Sequence, residues 1–539
     1  MKERGNSSRF LRVGKYGLLV KSLERSSKMP KKITTVLLII FWAVRACAQS
    51  VDSAWVQRYQ GPGNSKDYTT AIAVDSWSNI YVTGYTTYSQ THLDYLTLKY
   101  DPAGNELWTR RYNGPGDSSD HANGIAVDGW GNVYVTGYSY GDSVTVDDYA
   151  TIKYDSSGNE IWTRRYDGSA NMPDGAYATS VDVAGNVYVT GFCTDNQSST
   201  DYVTIKYDSS GNEIWVRSYN GPGNSDDCAY DMAVDGPGNI YLTGKSTGNG
   251  TDFDYATIKY DSSGTELWVR RYNGSANRAD EAAAIAVDDL GNVYVTGHSI
   301  GTGYDYATIK YDSSGNELWV SRYDGPASER DGACGVAVDG LGNVYVIGNS
   351  TGSTTASDFA TVKYDSSGNQ LWVRRYSGSG SYNDLAAGIS LDSSGNVYVT
   401  GYNVTINTAC NYVTIKYDTS GNELWMQTYN GPGNWGDHAR AIALDDSGNV
   451  YVTGESWGIS SNYDYATIKY VQFLRGDVNK DHDVTISDVV YLINYLFKSG
   501  AAPIPIEQVG DVNCDGTDDI IDAVYLVNYL FKNGPPPCQ

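Results

Sequence analysis

Short stretches in which apolar and polar residues alternate recur along most of the chain, and a period of two marks a half-buried β-strand. In residues 132–137, Val133 and Val135 fall on one face and Tyr134 and Thr136 on the other. Three comparable segments surround it, at residues 124–128, 149–155 and 161–166. The connections Gly129-Trp130-Gly131 and Ser156-Ser157-Gly158-Asn159 are hairpin-sized, with glycines that supply the positive φ such turns demand. Four short strands joined by tight turns are therefore predicted for this stretch.

The same pattern returns eight times. The string (G/S)N(V/I)Y(V/L)(T/I)G places its tyrosine at 81, 134, 188, 241, 294, 345, 398 and 451, so copies lie 51 to 54 residues apart. A second string, seen at residues 148–162 as DYATIKYDSSGNEIW, separates them. The first segment of most units is rich in Ala and Gly, as in Ala71-Ile72-Ala73, Ala284-Ile285-Ala286 and Gly335-Val336-Ala337, which suits the crowded axis of a ring. A repeated four-stranded unit either stacks as an open solenoid or closes as a β-propeller. The termini decide between them. The array begins with a lone fourth strand at residues 55–59 and ends with a third strand at residues 465–470 that has no fourth. The first completes the last and removes an open edge. The predicted fold is an all-β, eight-bladed propeller with four-stranded blades, closed by its N-terminal strand.

The strings AVD, GNVYVTG and KYDSSGNELW over residues 55–470 together resemble the SBBP-type β-propeller repeats. The resemblance implies a propeller and an exported bacterial protein, and no reaction. Charge adds an exclusion: 39 Lys+Arg against 63 Asp+Glu give a net charge of -24 over 539 residues, and a phosphate backbone needs a basic counter-surface. Nucleic acid is not an expected partner. The apolar run at residues 33–44 follows Lys31-Lys32 and leads into Ala46-Cys47-Ala48, the form of a signal peptide. It is shorter than the roughly 20 residues of a membrane span, so no transmembrane anchor is expected. Both Met1 and Met29 are candidate starts. A secreted, extracellular chain follows, and the six cysteines 193, 228, 334, 410, 514 and 538 permit disulfides without fixing their pairing.

In such a propeller the short turns between first and second strands and between third and fourth share one face. The longer, variable loops, such as residues 138–142 and 402–406, share the other, the DA/BC face, where D and A are the outer and inner strands and B and C lie between. Recognition normally resides in variable loops on a rigid frame, so a polysaccharide or protein ligand is expected there. Asp67, Asp120, Asp174, Asp227, Asp280, Asp331, Asp384 and Asp437 recur just before the innermost strand. They either pin their loops through backbone N–H groups or form a carboxylate ring that attracts cations or a basic ligand. The five histidines (92, 121, 298, 438 and 482) show neither metal-site spacing nor a neighbouring nucleophile, and no catalytic residue is predicted.

After residue 470 the repeat stops, and two matched segments follow at 476–488 and 510–522. Oxygen-bearing residues at positions one, three, five, nine and twelve, with a carbonyl at seven, fit a hard cation, Ca²⁺. Each loop leads into a predicted helix, at 489–498 and 523–532, carrying Tyr-Leu-(Ile/Val)-Asn-Tyr-Leu-Phe-Lys. This looks like a type I dockerin. The resemblance implies Ca²⁺ at two sites, held by Asp477, Asn479, Asp481, Asp483 (carbonyl), Thr485 and Asp488, and by Asp511, Asn513, Asp515, Thr517 (carbonyl), Asp519 and Asp522. His482 stands where the family has Gly, Asp518 where it has an apolar residue, and Ile486-Ser487 and Ile520-Ile521 where many members have Ser-Thr. The apolar faces Val489, Leu492, Ile493, Leu496 and Ala523, Leu526, Val527, Leu530 are expected to cover each other. Tyr491, Tyr495, Tyr525 and Tyr529, with Lys498 and Lys532, are left for a partner, by resemblance a cohesin on a scaffold or cell surface.

The expected organisation is an N-terminal extension and signal peptide (1–48), the propeller (49–470), a linker (471–475) and the dockerin (476–539). The leading reading is a non-catalytic binding or spacer module tethered through a Ca²⁺-dependent dockerin. The alternatives are a carbohydrate-active enzyme or accessory protein in polysaccharide degradation, since dockerins commonly carry such modules, and a quinoprotein-like dehydrogenase. The second rests on similarity of the Asp-Ser-Ser-Gly-Asn-Glu-Leu-Trp string to a tryptophan-docking repeat, and the chain lacks the adjacent Cys pair of many such cofactor sites.

Overall fold

The structure, a computed structural model, describes residues 49–62, 66–89, 92–141, 146–168, 170–194, 199–301, 303–353, 356–378, 382–405, 409–474, 486–498, 512 and 520–532. The chain divides into two compact units, Asp52–Val471 and a smaller one that includes Gln472–Gln539. The signal-peptide run lies outside the described residues.

In the large unit, eight four-stranded antiparallel sheets form the propeller. Seven are made of four consecutive strands, and the eighth runs Gln49–Tyr59, Tyr463–Leu474, Val450–Trp457, Asp437–Leu444. The N-terminal strand is thus the outer strand of the last blade, as the unbalanced termini required. The two strands of this closing pair have 11 and 12 residues, against 7 or 8 for the outer and third strands of blade 2. The third strand consequently runs through residues 471–474, most of the stretch expected to be a linker, because a hydrogen-bonded neighbour is available to continue the ladder.

Blade 2 (Asp120–Val127, Val133–Tyr140, Asp147–Tyr154, Glu160–Tyr166) shows why the strings recur. Asp128 Oδ1 accepts from the N–H groups of Trp130 and Asn132, and Oδ2 accepts from Asn132 Nδ2 and the Tyr134 hydroxyl. One carboxylate therefore fixes the turn and anchors the buried tyrosine of the following strand. The second turn repeats the device, with Asp155 accepting from Ser157 and Asn159. It also locks neighbouring blades together. Lys99 Nζ and Trp108 Nε1 of blade 1 both donate to the Ser156 carbonyl of blade 2, at 2.9 and 3.2 Å. Across the closure, Lys469 and Trp55 donate in the same way to Pro102 O, at 3.0 and 3.2 Å. The ring therefore closes with the bond that joins blades 1 to 7 in succession.

Between blades the core is filled by the repeated aliphatic and aromatic positions. Tyr134, Tyr149 and Trp162 of one blade pack against Ala176, Val187, Val189, Val203 and Ile205 of the next. Each innermost strand carries a bulge just after the residue paired with the glycine of the (T/I)G step, as between Ala122 and Gly124 or Ala386 and Gly388. The bulged residue is re-aimed and varies around the ring: Asn123 reaches the Ala176 carbonyl of the next blade, whereas Arg440 turns to Glu455.

In the small unit, helices α1 (Ile486–Lys498) and α2 (Ile520–Lys532) pack on each other. Val489, Leu492, Ala523, Leu526 and Leu530 are buried, while Ile493, Leu496 and Val527 are partly exposed. Among the described residues no helix is long and apolar enough to cross a membrane.

Candidate functional site

The eight recurrent aspartates lie beneath the DA/BC loops and are buried. One oxygen of each accepts an N–H from the glycine six residues earlier, at 2.5–2.7 Å. In seven blades the other accepts an N–H twenty residues later, such as Tyr140 at 3.1 Å and Thr194 at 2.8 Å. In blade 1 the Thr86 hydroxyl takes this place at 2.5 Å. Each carboxylate thereby pins the loop before its blade to the end of its second strand. Burial pushes Asp67 up to about 6 against the pull of its hydrogen bonds, and raises Asp120, Asp174, Asp227, Asp280, Asp384 and Asp437 as well.

The repeat breaks immediately beside this uniform ring. The residue after each aspartate pairs across the ladder with the residue after the glycine of the VTG string. The pairs are Tyr68/Tyr85, His121/Tyr138, Gly175/Phe192, Cys228/Lys245, Glu281/His298, Gly332/Asn349, Leu385/Tyr402 and His438/Glu455. No two are alike, although they sit on one scaffold at one level.

On one side of the ring these positions build a continuous aromatic belt. Centroid separations are 4.4 Å for Tyr402–His438, 5.8 Å for His438–Tyr463, 5.8 Å for Tyr463–Tyr68, 5.3 Å for Tyr68–Tyr85, 4.4 Å for Tyr85–His121 and 4.7 Å for His121–Tyr138. Within the belt Glu455, only 1% exposed, receives both Nε and Nη2 of Arg440, and His438 Nδ1 lies 3.3 Å from it. Burial alone would lower His438, but contacts with Cys410 and Glu455 raise it to about 9. The sequence offered no histidine beside a nucleophile. The fold brings His438 to the Cys410 thiol because the loop before blade 8 runs alongside the start of the third strand of blade 7, with Cys410 N–H donating to Trp435 O at 2.8 Å. The only sequence signal was that all three residues occupy positions where the repeat varies.

Adjoining the belt's end at blade 7 is a cleft of about 650 Å³ at blades 5, 6 and 7, lined by His298, Tyr304, Arg330, Asn349, Asn383 and Leu385 among others. All come from the DA and BC loops or from strand ends next to them. Arg330 stands over the Tyr304 ring at 5.1 Å from its centroid. Burial lowers His298. The acidic trio Asp305, Asp324 and Asp331 lies close by, but Asp305 is held by Arg322 at 2.6 Å and Asp331 by Gly325 and Thr351.

Of the expected calcium ligands, Asp488 and Asp522 are described. Both are fully buried in the first turn of their helices, as carboxylates closing a cation loop would be. Asp477, Asn479, Asp481, Asp483, Thr485, Asp511, Asn513, Asp515, Thr517 and Asp519 lie outside the described residues. The expected partner surface changes in detail. Tyr529 is buried at 7% exposure, and Tyr491, Tyr495 and Tyr525 are half-buried. The exposed apolar side chains include the matched pairs Val490/Val524 and Phe497/Phe531, the last two at 63% and 57%. The side chains of Lys498 and Lys532 lie outside the described residues.

Residues 475–531 match the dockerin type I domain, a calcium-binding module. Residues 55–88, 107–143, 214–251, 267–305 and 431–460 match the SBBP β-propeller repeat. A curated relative, an uncharacterized WD repeat-containing protein (L264) of Acanthamoeba polyphaga mimivirus, is 24% identical over 492 residues. The match covers 76% of this chain but only 31% of that protein. Among solved structures, the periplasmic gluconolactonase PpgL of Pseudomonas aeruginosa is similar at 12% identity and a TM-score of 0.42, covering 68% of this chain and 96% of that one. The β-propeller domain of the Trilobed protease of Pyrococcus furiosus gives 9% and 0.38, covering 64% and 93%.

Proposed function

We propose that this chain, which carries SBBP propeller repeats and a dockerin type I domain, is an exported, non-catalytic recognition module. Its propeller presents a ligand-binding mouth on the DA/BC face, and its dockerin tethers it to a cohesin-like domain on a scaffold or cell surface. The observation that carries the reading is the contrast at the mouth. Eight recurrent aspartate pins hold eight different residue pairs, which is what a rigid frame bearing a specific surface requires. Two Ca²⁺ ions would order the loops ending at Asp488 and Asp522, with the remaining ligands those named from the sequence. Calcium held in this way would couple folding of the helix pair to binding.

The test is capture of a surface-exposed cohesin-bearing partner by the full-length chain in calcium and in chelator. Calcium-dependent capture that disappears in a D488N/D522N variant supports the tether. Capture that survives both treatments refutes it.

A catalytic reading has one observation in its favour, the contact of Cys410 with His438 beside Glu455. A glycosidase needs a pair of available carboxyl groups in one pocket. Among the described residues, Glu455 is engaged by Arg440, and Asp305 and Asp331 are engaged as described. Release of reducing sugar from a polysaccharide panel would overturn the non-catalytic assignment.

A further inference from the structure

We propose that the cleft at blades 5, 6 and 7 binds an acidic sugar through its carboxylate, with Arg330 as the charged anchor. This rests on the DA/BC mouth being the recognition face and adds the ligand class.

The argument is a count of what the cleft leaves available. Among the described residues, the side-chain oxygens of Asp331, Asn349 and Asn383 are engaged internally. Asp331 accepts from the N–H groups of Gly325 at 2.6 Å and Thr351 at 3.0 Å. Asn349 Oδ1 accepts from Ala386 N–H at 2.8 Å, and Asn383 Oδ1 from Ser357 N–H at 3.1 Å. A backbone N–H can pair only with the oxygen of an amide side chain, so both amides are oriented and their Nδ2 groups are left as donors. The Thr351 hydroxyl and Cys334 thiol donate to the carbonyls of Arg330 and Ala386, at 2.9 and 3.5 Å.

Donors and a cation therefore remain. The Arg330 guanidinium makes no ion pair and no side-chain hydrogen bond among the described residues, and its contact there is with the Tyr304 ring. Of the neighbouring acids, Asp305 is paired with Arg322, Glu281 lies 3.9 Å from Lys245, and Asp324 accepts from the Ser328 hydroxyl at 3.1 Å. A planar guanidinium matches a carboxylate in two parallel hydrogen bonds, and amide and phenol groups around it suit ring hydroxyls. A cleft of about 650 Å³ falls within the usual range of small-ligand sites and has room for one or two pyranose rings.

Titration of the full-length, calcium-loaded chain with digalacturonic acid and with neutral cellobiose, followed by calorimetry, tests the assignment. Digalacturonate should bind saturably, at least 10-fold tighter than cellobiose. R330Q should weaken it at least 10-fold with an unchanged melting temperature, since Arg330 is exposed. No saturable binding, equal affinity for cellobiose, or full affinity in R330Q would overturn the proposal. Loss of digalacturonate binding in H121A with retention in R330Q would leave the mouth as the recognition face and remove this cleft from it.

Discussion

The indole of Trp108 lies against the backbone of Gly158 in the next blade, so closely that a Cβ on Gly158 would sit 2.8 Å from its ring. Gly158 also has φ of +82°. The glycine is required twice, by the turn and by the tryptophan of another blade. G158A should destabilise the propeller by about 2 kcal/mol, from left-handed strain plus overpacking. Ser157→Ala in the same turn should cost little, and denaturant midpoints of the two variants check the contrast.

Arg165 is the staple between blades 1 and 2 on the other face. It donates to Asp148 at 2.6 Å, Ser139 O at 2.8 Å, Ser139 Oγ at 2.5 Å and the Tyr112 hydroxyl of the preceding blade at 3.3 Å. R165T should cost about 2–3 kcal/mol by leaving a buried carboxylate without its cation. Blade 7 shows the uncharged solution, with Thr428 and Asn411 at the corresponding positions. The double variant R165T/D148N is therefore expected to recover most of the loss. A double-mutant cycle on unfolding midpoints reads the coupling.

His438 makes stability depend on pH. Its pKa is raised to about 9 in the folded chain by Cys410 and Glu455, against an ordinary value of 6.5. The stabilisation is fully present below pH 6.5 and is lost as pH rises through about 9. Arg440, Tyr402 and Tyr463 complete its surroundings. Urea midpoints at pH 6.5, 8 and 9.5 should fall for the natural chain and fall less steeply for H438Q.

Asp231 acts in the acid range. It occupies an inner-strand position that is Ala or Gly in the other blades, and burial raises it to about 6 despite bonds from Met232 and Ile285 N–H. Its raised pKa means that the stability this carboxyl contributes is fully present below pH 3.8 and is lost as pH rises through about 6. D231N should flatten the stability slope between pH 4 and 6.5, an outcome that midpoints measured across that window would show.

In the small unit, Phe497 and Phe531 are exposed at equivalent places on two helices of nearly the same sequence. If either helix can meet the partner, F497A should retain most calcium-dependent capture and F497A/F531A should lose it, with helical circular dichroism unchanged. Loss in the single variant would mean that only one orientation is used.

The repeat was legible in the sequence because each of its residues answers a local demand. Asp128, Asn132 and Gly131 make a turn, Val133 and Val135 alternate into a core, and a lone fourth strand at residues 55–59 implied ring closure. These effects act over a few residues or recur identically, so counting positions was enough. The extension of the closing strands to Gln49 and Leu474, the burial of Tyr529 and the meeting of Cys410, His438 and Glu455 were decided only by tertiary structure. Each depends on which segments the ring or the helix pair sets side by side. The donor-rich cleft is of the same kind. Its character comes in part from the amide oxygens of Asn349 and Asn383 being taken by the Ala386 and Ser357 N–H groups of neighbouring segments, at positions where the repeat varies, and such bonds leave no periodic trace in the sequence.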